Sequence, residues 1–329
     1  MPAARFRCAR RSARADRVRG ALTFAGSILL AATAPLLAQS QPSPAPTHST
    51  APPQSAAPAP SGPDFLTRPF GAIRPLPSGI RLSGSPVQGA LLRGTAPRGV
   101  TALDLDGVQV PVAPDGAFLL GFNRDAPPLG VLTVTFADGQ VVTEPLSIEP
   151  RAWRREFVAV AARGGVPGEA FMARRKPELE MIEAARARQS DSSGWRQQFI
   201  WPATGRVSGI FGSQRIYAGE PGSFHSGVDV AGAVGTPVVA PADGVVILAA
   251  PTPFSLEGNL LMIDHGMGLN SAFLHLSAID VKLGDTVRQG QQIGRIGATG
   301  RATGPHLHWS MKWNDARIDP QLLVGPMAQ

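Results

Sequence analysis

The sequence contains one cysteine, Cys8, near the start of its 329 residues. The rest of the chain therefore cannot form an internal disulfide framework, and a metal site in it must use histidine and carboxylate ligands. The chain also has no His-Glu-x-x-His segment, which excludes a thermolysin-like zinc helix. Histidine itself is scarce, with six in all, so a cluster of histidine motifs is informative.

The positive charge of the chain is concentrated at its N-terminus. The formal net charge is +7, and residues 1–20 hold seven arginines and one aspartate. This segment accounts for nearly all of the excess, so the remainder is close to neutral. The basic pI therefore gives no reason to predict a nucleic-acid partner.

An apolar run, residues 20–38, follows these arginines. A basic segment, an apolar segment and a small residue at Ala38 predict a secretory signal peptide over residues 1–38. We therefore expect an exported protein of the bacterial periplasm or cell envelope, or a secreted one. The alternative is an uncleaved segment that tethers the chain to a membrane, although Pro35 and several small residues weaken a membrane helix.

The composition divides the remaining chain into four parts. Short apolar runs separated by Asp-Gly pairs predict a small β-sandwich-like domain, which is either a wall- or partner-binding module or a spacer. The predicted parts are a Pro/Ala/Ser-rich linker (39–63, with His48 as a solvated residue), the small β-domain (64–150), a helical connector (151–198) and a larger all-β domain (199–329).

The connector is predicted to contain a helix with Pro177 in its first turn, running over residues 178–188. Eleven Lys and Arg residues face six Asp and Glu residues over positions 151–206. This excess allows a basic patch for an anionic polymer such as the cell wall, but a solvated connecting helix is the favoured interpretation.

Three short motifs in the larger domain contain most of the histidines. Side chains at positions i, i+2 and i+4 of a strand share one face. If the motifs are strands, His225 and Asp229 point the same way with Gly227 between them, and His306 and His308 share a face. The motifs are His225-Ser-Gly-Val-Asp229, Leu274-His275-Leu276 and His306-Leu307-His308.

These residue types are those of a catalytic zinc site, which offers three protein ligands and leaves a fourth position for water. We expect His225, Asp229 and His308 to hold one Zn²⁺ per chain. His306 and His275 remain for proton transfer or for stabilising an oxyanion.

Two other features of this domain have different expected roles. His265 and Asp264 lie beside turn glycines and are expected to support the fold. The glycine-rich run 294–304 lacks the lysine of a phosphate-binding loop and is expected to pass close to a peptide substrate.

Residues from about 205 to 320 resemble the M23 peptidases, the lysostaphin and LytM-like family. The resemblance implies an antiparallel β fold with an open groove, zinc ligands at His225, Asp229 and His308, and catalytic roles for His306 and His275. Phe273 stands where the family usually has tyrosine. The matching segments are Phe224-His-Ser-Gly-Val-Asp229, Ala240-Pro-Ala-Asp-Gly-Val-Val246, Ile263-Asp-His-Gly266, Leu274-His-Leu-Ser277 and Gly300-Arg-Ala-Thr-Gly-Pro-His-Leu-His-Trp309.

The resemblance implies a mainly β, exported zinc metalloendopeptidase. Its expected substrates are the stem-peptide cross-links of bacterial peptidoglycan. The alternative is a non-enzymatic protein of the same fold that activates a cell-wall amidase, but such relatives typically lack metal ligands and this chain has all of them. A toxin aimed at the glycine bridges of competitors is a third and weaker alternative.

Overall fold

The computed structural model describes residues 73–159 and 168–327. The predicted signal peptide or tether, Cys8, and the linker with His48 lie outside these residues. No helix in the described ranges combines the length and apolar character needed to cross a membrane.

The first described region, residues 73–150, consists of two four-stranded antiparallel sheets. Their strand orders are β1-β2-β3-β6 and β5-β4-β7-β8. The strands are β1 (Ile73–Pro75), β2 (Arg81–Ser83), β3 (Leu91–Thr95), β4 (Val100–Leu105), β5 (Val108–Gln109), β6 (Ala117–Gly121), β7 (Leu129–Phe136) and β8 (Val141–Ser147).

The turn residues and the burial of side chains from both sheets explain why this region forms two packed sheets. Asp106 (φ +53°) and Gly107 (φ +84°) are both left-handed between β4 and β5, as a type I′ hairpin requires. Leu92, Leu103 and Phe118, from both sheets, are buried in one hydrophobic cluster. The sandwich-like arrangement predicted from the sequence is therefore confirmed.

The connector contains β9 (Arg155–Val158), one α-helix, α1 (Glu169–Arg186), and a 3₁₀ helix (Gly194–Arg196). The predicted start of the helix at Pro177 is wrong, because α1 begins at Glu169 and Pro177 lies inside it. Proline removes one helical hydrogen bond and crowds the preceding turn. Contacts of Arg175 and Glu178 with the segment around Glu257 hold the helix together on both sides of Pro177.

The C-terminal region is again built from antiparallel strands. An eight-stranded sheet has the order β10-β13-β21-β17-β16-β15-β19, with β22 also paired to β21. Two small sheets have the orders β12-β11-β9 and β14-β20-β18, and the β9–β11 pair is parallel.

The bounds of these strands show that the histidine motifs fall at strands or strand ends. They are β10 (Arg206–Gly209), β11 (Gln214–Tyr217), β12 (Glu220–Phe224), β13 (Val228–Ala231), β14 (Pro237–Val239), β15 (Gly244–Ala249), β16 (Asn259–Asp264), β17 (Leu269–Leu276), β18 (Ala278–Ile279), β19 (Thr286–Val287), β20 (Gln292–Arg295), β21 (His306–Trp313) and β22 (Ala316–Ile318), followed by a 3₁₀ helix at Pro320–Leu322.

The eight-stranded sheet has one face in the core and one face that carries polar groups. Val228, Val230, Leu307 and Trp309 are fully buried. Residues next to them in sequence, such as His308, point to the opposite face because side chains alternate along a strand. This alternation places Asp229 and His308 on the polar face.

Helix α1 covers part of that same polar face. Ile182 and Ala185 of α1 belong to one buried cluster with Met262 and Ala272. Ala272 is paired with Ser310 across β17 and β21, and Ser310 shares its face with His308. The helix and the histidine motifs therefore lie on one side of the sheet.

Candidate metal centre

Two of the predicted ligands are cross-strand neighbours. Asp229 of β13 lies directly opposite His308 of β21 in the antiparallel register, so the two side chains share a face. His308 Nδ1 lies 2.9 Å from Asp229 Oδ1. Strand pairing therefore brings together residues that are far apart in sequence.

The third predicted ligand, His225, reaches the site from a connection between strands. It follows β12, which ends at Phe224, and precedes β13, which begins at Val228. The expectation that His225 and Asp229 lie on one continuous strand is therefore wrong, because the chain passes from a small sheet to the large one between them. Their side chains still converge, with His225 Nε2 3.0 Å from Asp229 Oδ1.

The orientation of the His225 ring is fixed by a backbone hydrogen bond. His225 Nδ1 donates to the Ile210 carbonyl at 3.1 Å. This leaves Nε2 to face the site, where it lies 3.0 Å from His308 Nδ1. A metal-binding histidine is commonly oriented in this way by a hydrogen bond from its other ring nitrogen.

These three donor atoms fit a small, tetrahedral metal ion. His225, Asp229 and His308 form the one group of three or more convergent ligand residues in the described part of the chain. Ligands about 2.0–2.1 Å from a tetrahedral zinc ion lie about 3.3 Å from one another, close to the 2.9–3.0 Å separations here. Two imidazoles and a carboxylate are also donors that zinc prefers.

The electrostatics of the cluster favour an ionised carboxylate. Burial alone would raise the pKa of Asp229, but hydrogen bonds and charge from His225 and His308 hold it well below its usual range. Burial lowers the pKa of His308, and the partly opposing contact with Asp229 does not reverse this. For His225, burial acts to lower the pKa, but the contact with Asp229 outweighs it and the pKa is raised.

Two further imidazoles stand beside the three ligands. His306 Nδ1 donates to the Gly304 carbonyl and His275 Nδ1 donates to the Thr299 carbonyl, each at 2.8 Å. In the neutral rings, each Nε2 is therefore an unprotonated acceptor. His306 Nε2 lies 3.8 Å from Asp229 Oδ1, and the ring centroids of His275 and His306 are 4.8 Å apart.

His275 owes its position to an unusual backbone conformation. Its φ is +63°, a left-handed value that is uncommon for a residue with a side chain. The N–H of His275 donates to the Glu257 carbonyl at 2.8 Å. Strand alternation in β17 therefore does not determine where this side chain points, and the sequence motif alone could not give its orientation.

Two glycines leave room for the cluster. A side-chain carbon at Gly227 would lie 2.3 Å from the Trp309 carbonyl and 2.8 Å from His308 Nε2. The glycine between His225 and Asp229 is therefore required by the space available. Gly209 was missed by sequence reasoning, although a side-chain carbon there would lie 2.3 Å from Asp229 Oδ2. Its only sequence signal is a glycine at the end of a short strand.

His265 and Asp264 are structural, as predicted. His265 Nδ1 lies 2.8 Å from the Asp243 carbonyl and its Nε2 lies 2.8 Å from Ser271 Oγ. Asp264 accepts hydrogen bonds from the backbone and side chain of Ser190. Neither residue belongs to the metal centre.

A cavity of about 860 Å³ opens beside the metal centre and is lined by His225 and Asp229. Its walls include Arg154, Tyr217 and Arg301. Arg301 belongs to the glycine-rich run, so this run borders the open cavity. The cavity is large enough for a peptide segment.

A family model and a solved structure match this chain. The model of peptidase family M23 matches residues 223–320. This range includes the three proposed ligands and the two neighbouring histidines: His225, Asp229, His275, His306 and His308. A crystal structure of a protein from Pseudomonas aeruginosa, described as peptidase M23, is 31% identical and covers 73% of this chain and 95% of that one, with a TM-score of 0.55.

Two curated relatives each match a little over a third of the chain. Peptidoglycan DD-endopeptidase ShyA of Vibrio cholerae is 42% identical over 124 residues, which cover 37% of this chain and 28% of that protein. DD-carboxypeptidase/endopeptidase Mpg of Neisseria meningitidis is 39% identical over 121 residues, with coverages of 37% and 27%. The chain thus spans less than a third of the length of these relatives.

Proposed function

The chain belongs to peptidase family M23, and from this premise we propose that it is a zinc metalloendopeptidase that hydrolyses the peptide cross-links of bacterial peptidoglycan. The observation that carries the proposal is the convergence of His225 Nε2, Asp229 Oδ1 and His308 Nδ1 within 2.9–3.0 Å. The peptidoglycan substrate is supported by the names of the relatives. An envelope location and removal of residues 1–38 as a signal peptide belong to the same proposal.

His225, Asp229 and His308 would hold one zinc ion. When bound, zinc supplies Lewis acidity that makes a water molecule easier to deprotonate and polarises a carbonyl group. The carboxylate of Asp229 balances part of the metal charge and, with its low pKa, is ionised at neutral pH.

His306 is the proposed general base. Its Nδ1 is occupied by the Gly304 carbonyl, so its Nε2 can take a proton from the attacking water. The water oxygen then bonds to the scissile carbonyl carbon. His306 returns the proton to the leaving nitrogen as the carbon–nitrogen bond breaks.

His275 is the proposed stabiliser of the developing oxyanion. Its Nδ1 already donates to the Thr299 carbonyl, so it can donate to an oxyanion only with a second proton on Nε2. Burial lowers the pKa of His275 in the resting site, and a negatively charged oxygen beside the ring acts in the opposite direction and favours the protonated form. The strained backbone of His275 keeps the ring next to His306.

The division of roles can be tested with two substitutions. We expect His306→Ala to keep stoichiometric zinc but to lose hydrolysis, whereas His308→Ala loses zinc as well. The measurements are zinc content by elemental analysis and mass spectrometry of digested cross-linked muropeptides, with and without a chelator. His48→Ala, in the predicted linker, serves as the matched histidine control. Full cleavage by both site variants would contradict the mechanism.

The same digestion tests the amidase-activator alternative. New peptide-bond products from the purified chain alone support the peptidase. Failure to cleave any peptide bond, together with stimulation of an added amidase, would favour the activator. We also propose residues 199–329 as the catalytic domain, with residues 64–150 and 151–198 as a β-domain and connector in front of it.

A further inference from the structure

A second, smaller cavity lies between α1 and the sheet face that carries the metal centre. Its volume is about 220 Å³, and the ligand His308 forms part of its wall. The floor is apolar, and two half-buried hydroxyl groups face it. The floor residues are Met262, Ala272 and Leu274, and the hydroxyls are those of Ser226 and Ser310.

Three arginines and two glutamates line this cavity. Arg175 forms a two-point contact with Glu257, at 2.5 and 2.7 Å. Arg186 Nη1 lies 3.1 Å from Glu183, whose side chain is 66% exposed. Arg317 remains, and the described residues provide it with neither an ion pair nor a side-chain hydrogen bond.

Arg186, the second arginine of this cavity, also has a hydrogen-bond donor without a partner among the described residues. Arg186 Nε is buried and has no hydrogen-bond partner in the described structure. Burial, together with the positive charge of Arg186, lowers the pKa of Arg317, and the negative charge of Glu183 opposes this shift only in part. A buried guanidinium group without an ionic partner is costly, so an anion in this cavity would relieve the unfavourable environment of Arg317.

We propose that this cavity, which we call the arginine pocket (Arg186, Arg317, Ser226 and Ser310), binds a carboxylate of the peptide substrate close to the scissile amide. A guanidinium group matches a carboxylate in shape and charge. Because His308 lines the pocket and also belongs to the metal centre, the carboxylate lies within about one residue of the bond that is cut. The inference rests on the proposed peptidase function and adds a specificity determinant to it.

Two different carboxylates of the proposed substrate have the chemistry that the arginine pocket requires. One is the C-terminal carboxylate of an uncross-linked stem peptide. The other is the carboxylate of a diamino acid whose side-chain nitrogen forms the cross-link. The first would make the enzyme a carboxypeptidase and the second an endopeptidase, so the source decides which bond is cut.

The experiment uses two matched pairs of synthetic peptides with the zinc-loaded full chain. One pair is a cross-linked dimer with a carboxylate or a carboxamide on the diamino acid. The other is a linear stem peptide with a C-terminal acid or amide. We expect the acid form of one pair to be cleaved with a kcat/KM about 10- to 100-fold higher than its amide, as the loss of a charged hydrogen bond predicts. The pair that shows the preference identifies the source.

Substitutions then locate the preference. We expect Arg317→Met to lower kcat/KM for the acid form by a similar factor and to leave the amide form unchanged, since only the acid makes the lost contact. Arg317→Lys should restore part of the preference. Arg174→Met, at an exposed arginine on the same helix, is the control and should retain the full preference.

The outcomes separate this inference from the proposed function. No cleavage of any of the four peptides overturns the proposed function. Equal cleavage of acid and amide in both pairs overturns only the arginine pocket, as does an undiminished acid preference in Arg317→Met. If calorimetry shows that Arg317→Met does not fold, Arg186→Met is measured in its place. The ratio of acid to amide cleavage by the unsubstituted chain also tests the arginine pocket without any variant.

Discussion

At the residue scale, the proposed metal centre depends on two glycines as much as on the three side chains proposed as ligands. Gly209 and Gly227 lie against Asp229 and His308 so closely that a single added carbon would displace a ligand. Neither glycine has a positive φ, so space and not backbone conformation requires them. A ligand motif therefore needs small neighbours that the motif itself does not specify.

We expect Gly227→Ala to weaken zinc binding and to destabilise the fold. The added carbon would lie 2.3 Å from the Trp309 carbonyl, a contact that only a shift of β13 or β21 can relieve, and overpacking of this kind costs about 1–3 kcal/mol. Zinc stoichiometry and thermal unfolding measure the two effects. Gly168→Ala, where nothing lies within 4 Å, is the control; equal zinc content in both variants would argue against the steric account.

His265 makes the stability of the fold sensitive to acid. It is fully buried, and burial lowers its pKa from 6.5 to about 4. Between these values the unfolded chain binds a proton that the folded chain does not, so this residue reduces stability as the pH falls through that window. The slope is at most about 1.4 kcal/mol per pH unit.

This effect can be isolated with His265→Gln, which cannot titrate. The variant loses stability at pH 7, because the contacts with Asp243 and Ser271 are disturbed. We expect this deficit to shrink by about 2 kcal/mol between pH 7 and pH 5. Urea unfolding at both pH values measures it, and a deficit independent of pH would show that His265 is not buried in its neutral form.

At the element scale, helix α1 is held by an ionic cluster more than by its own sequence. Pro177 interrupts its hydrogen bonding. The residue at its N-cap position, Gly168, has no side chain that could cap the helix. Arg175 binds Glu257, and Glu178 accepts from the backbone and hydroxyl of Ser255. The helix therefore depends on tertiary contacts, as most helices in proteins do.

We expect Glu257→Gln to loosen α1. The side chains of Arg175 and Glu257 are only 11% and 16% exposed, so the change leaves a mostly buried guanidinium with reduced compensation, at a cost of about 3 kcal/mol. Hydrogen exchange of residues 169–186 should accelerate. Glu183→Gln, which changes the exposed member of another ion pair on the same helix, should cost less than about 1 kcal/mol. Similar hydrogen-exchange rates in the two variants would exclude the anchoring role of Glu257.

At the scale of the whole molecule, the hydrophobic core continues from the small β-domain into the larger C-terminal β region. The buried cluster includes Phe118 and Leu120 as well as Trp309 and Trp313. A side-chain carbon at Gly121 would lie 2.8 Å from the Trp313 ring. Polar contacts also cross between the regions, because Arg93 donates to the Trp195 carbonyl and Arg124 to the Gly212 carbonyl.

This continuity predicts a single cooperative unfolding transition for residues 73–327. Calorimetry of the full chain should show one endotherm, with matching calorimetric and van't Hoff enthalpies. Gly121→Val should lower the melting temperature, because it forces β6 away from Trp313, whereas Val141→Thr on an exposed strand should leave it nearly unchanged. Two separated endotherms in the unsubstituted chain would show that the regions fold independently.

Several features of this protein are determined by the sequence alone. The scarcity of cysteine limits the metal ligands to histidine and carboxylate, and alternation along a strand is enough to place His306 and His308 on one face. The Asp-Gly pairs predict hairpins because both positions tolerate left-handed backbone. These rules act over a few neighbouring residues, so they can be read without knowledge of the fold.

Other features were decided only by the tertiary structure. The connection of His225 between two sheets, the left-handed backbone of His275, the start of α1 before Pro177 and the meeting of Arg186 with Arg317 all depend on contacts between distant segments. Strand register and packing set such contacts, and no local periodicity encodes them. The sequence thus determined which histidine and carboxylate groups are candidates for the proposed zinc site, whereas folding decided which ring nitrogens face that site and which charges surround it.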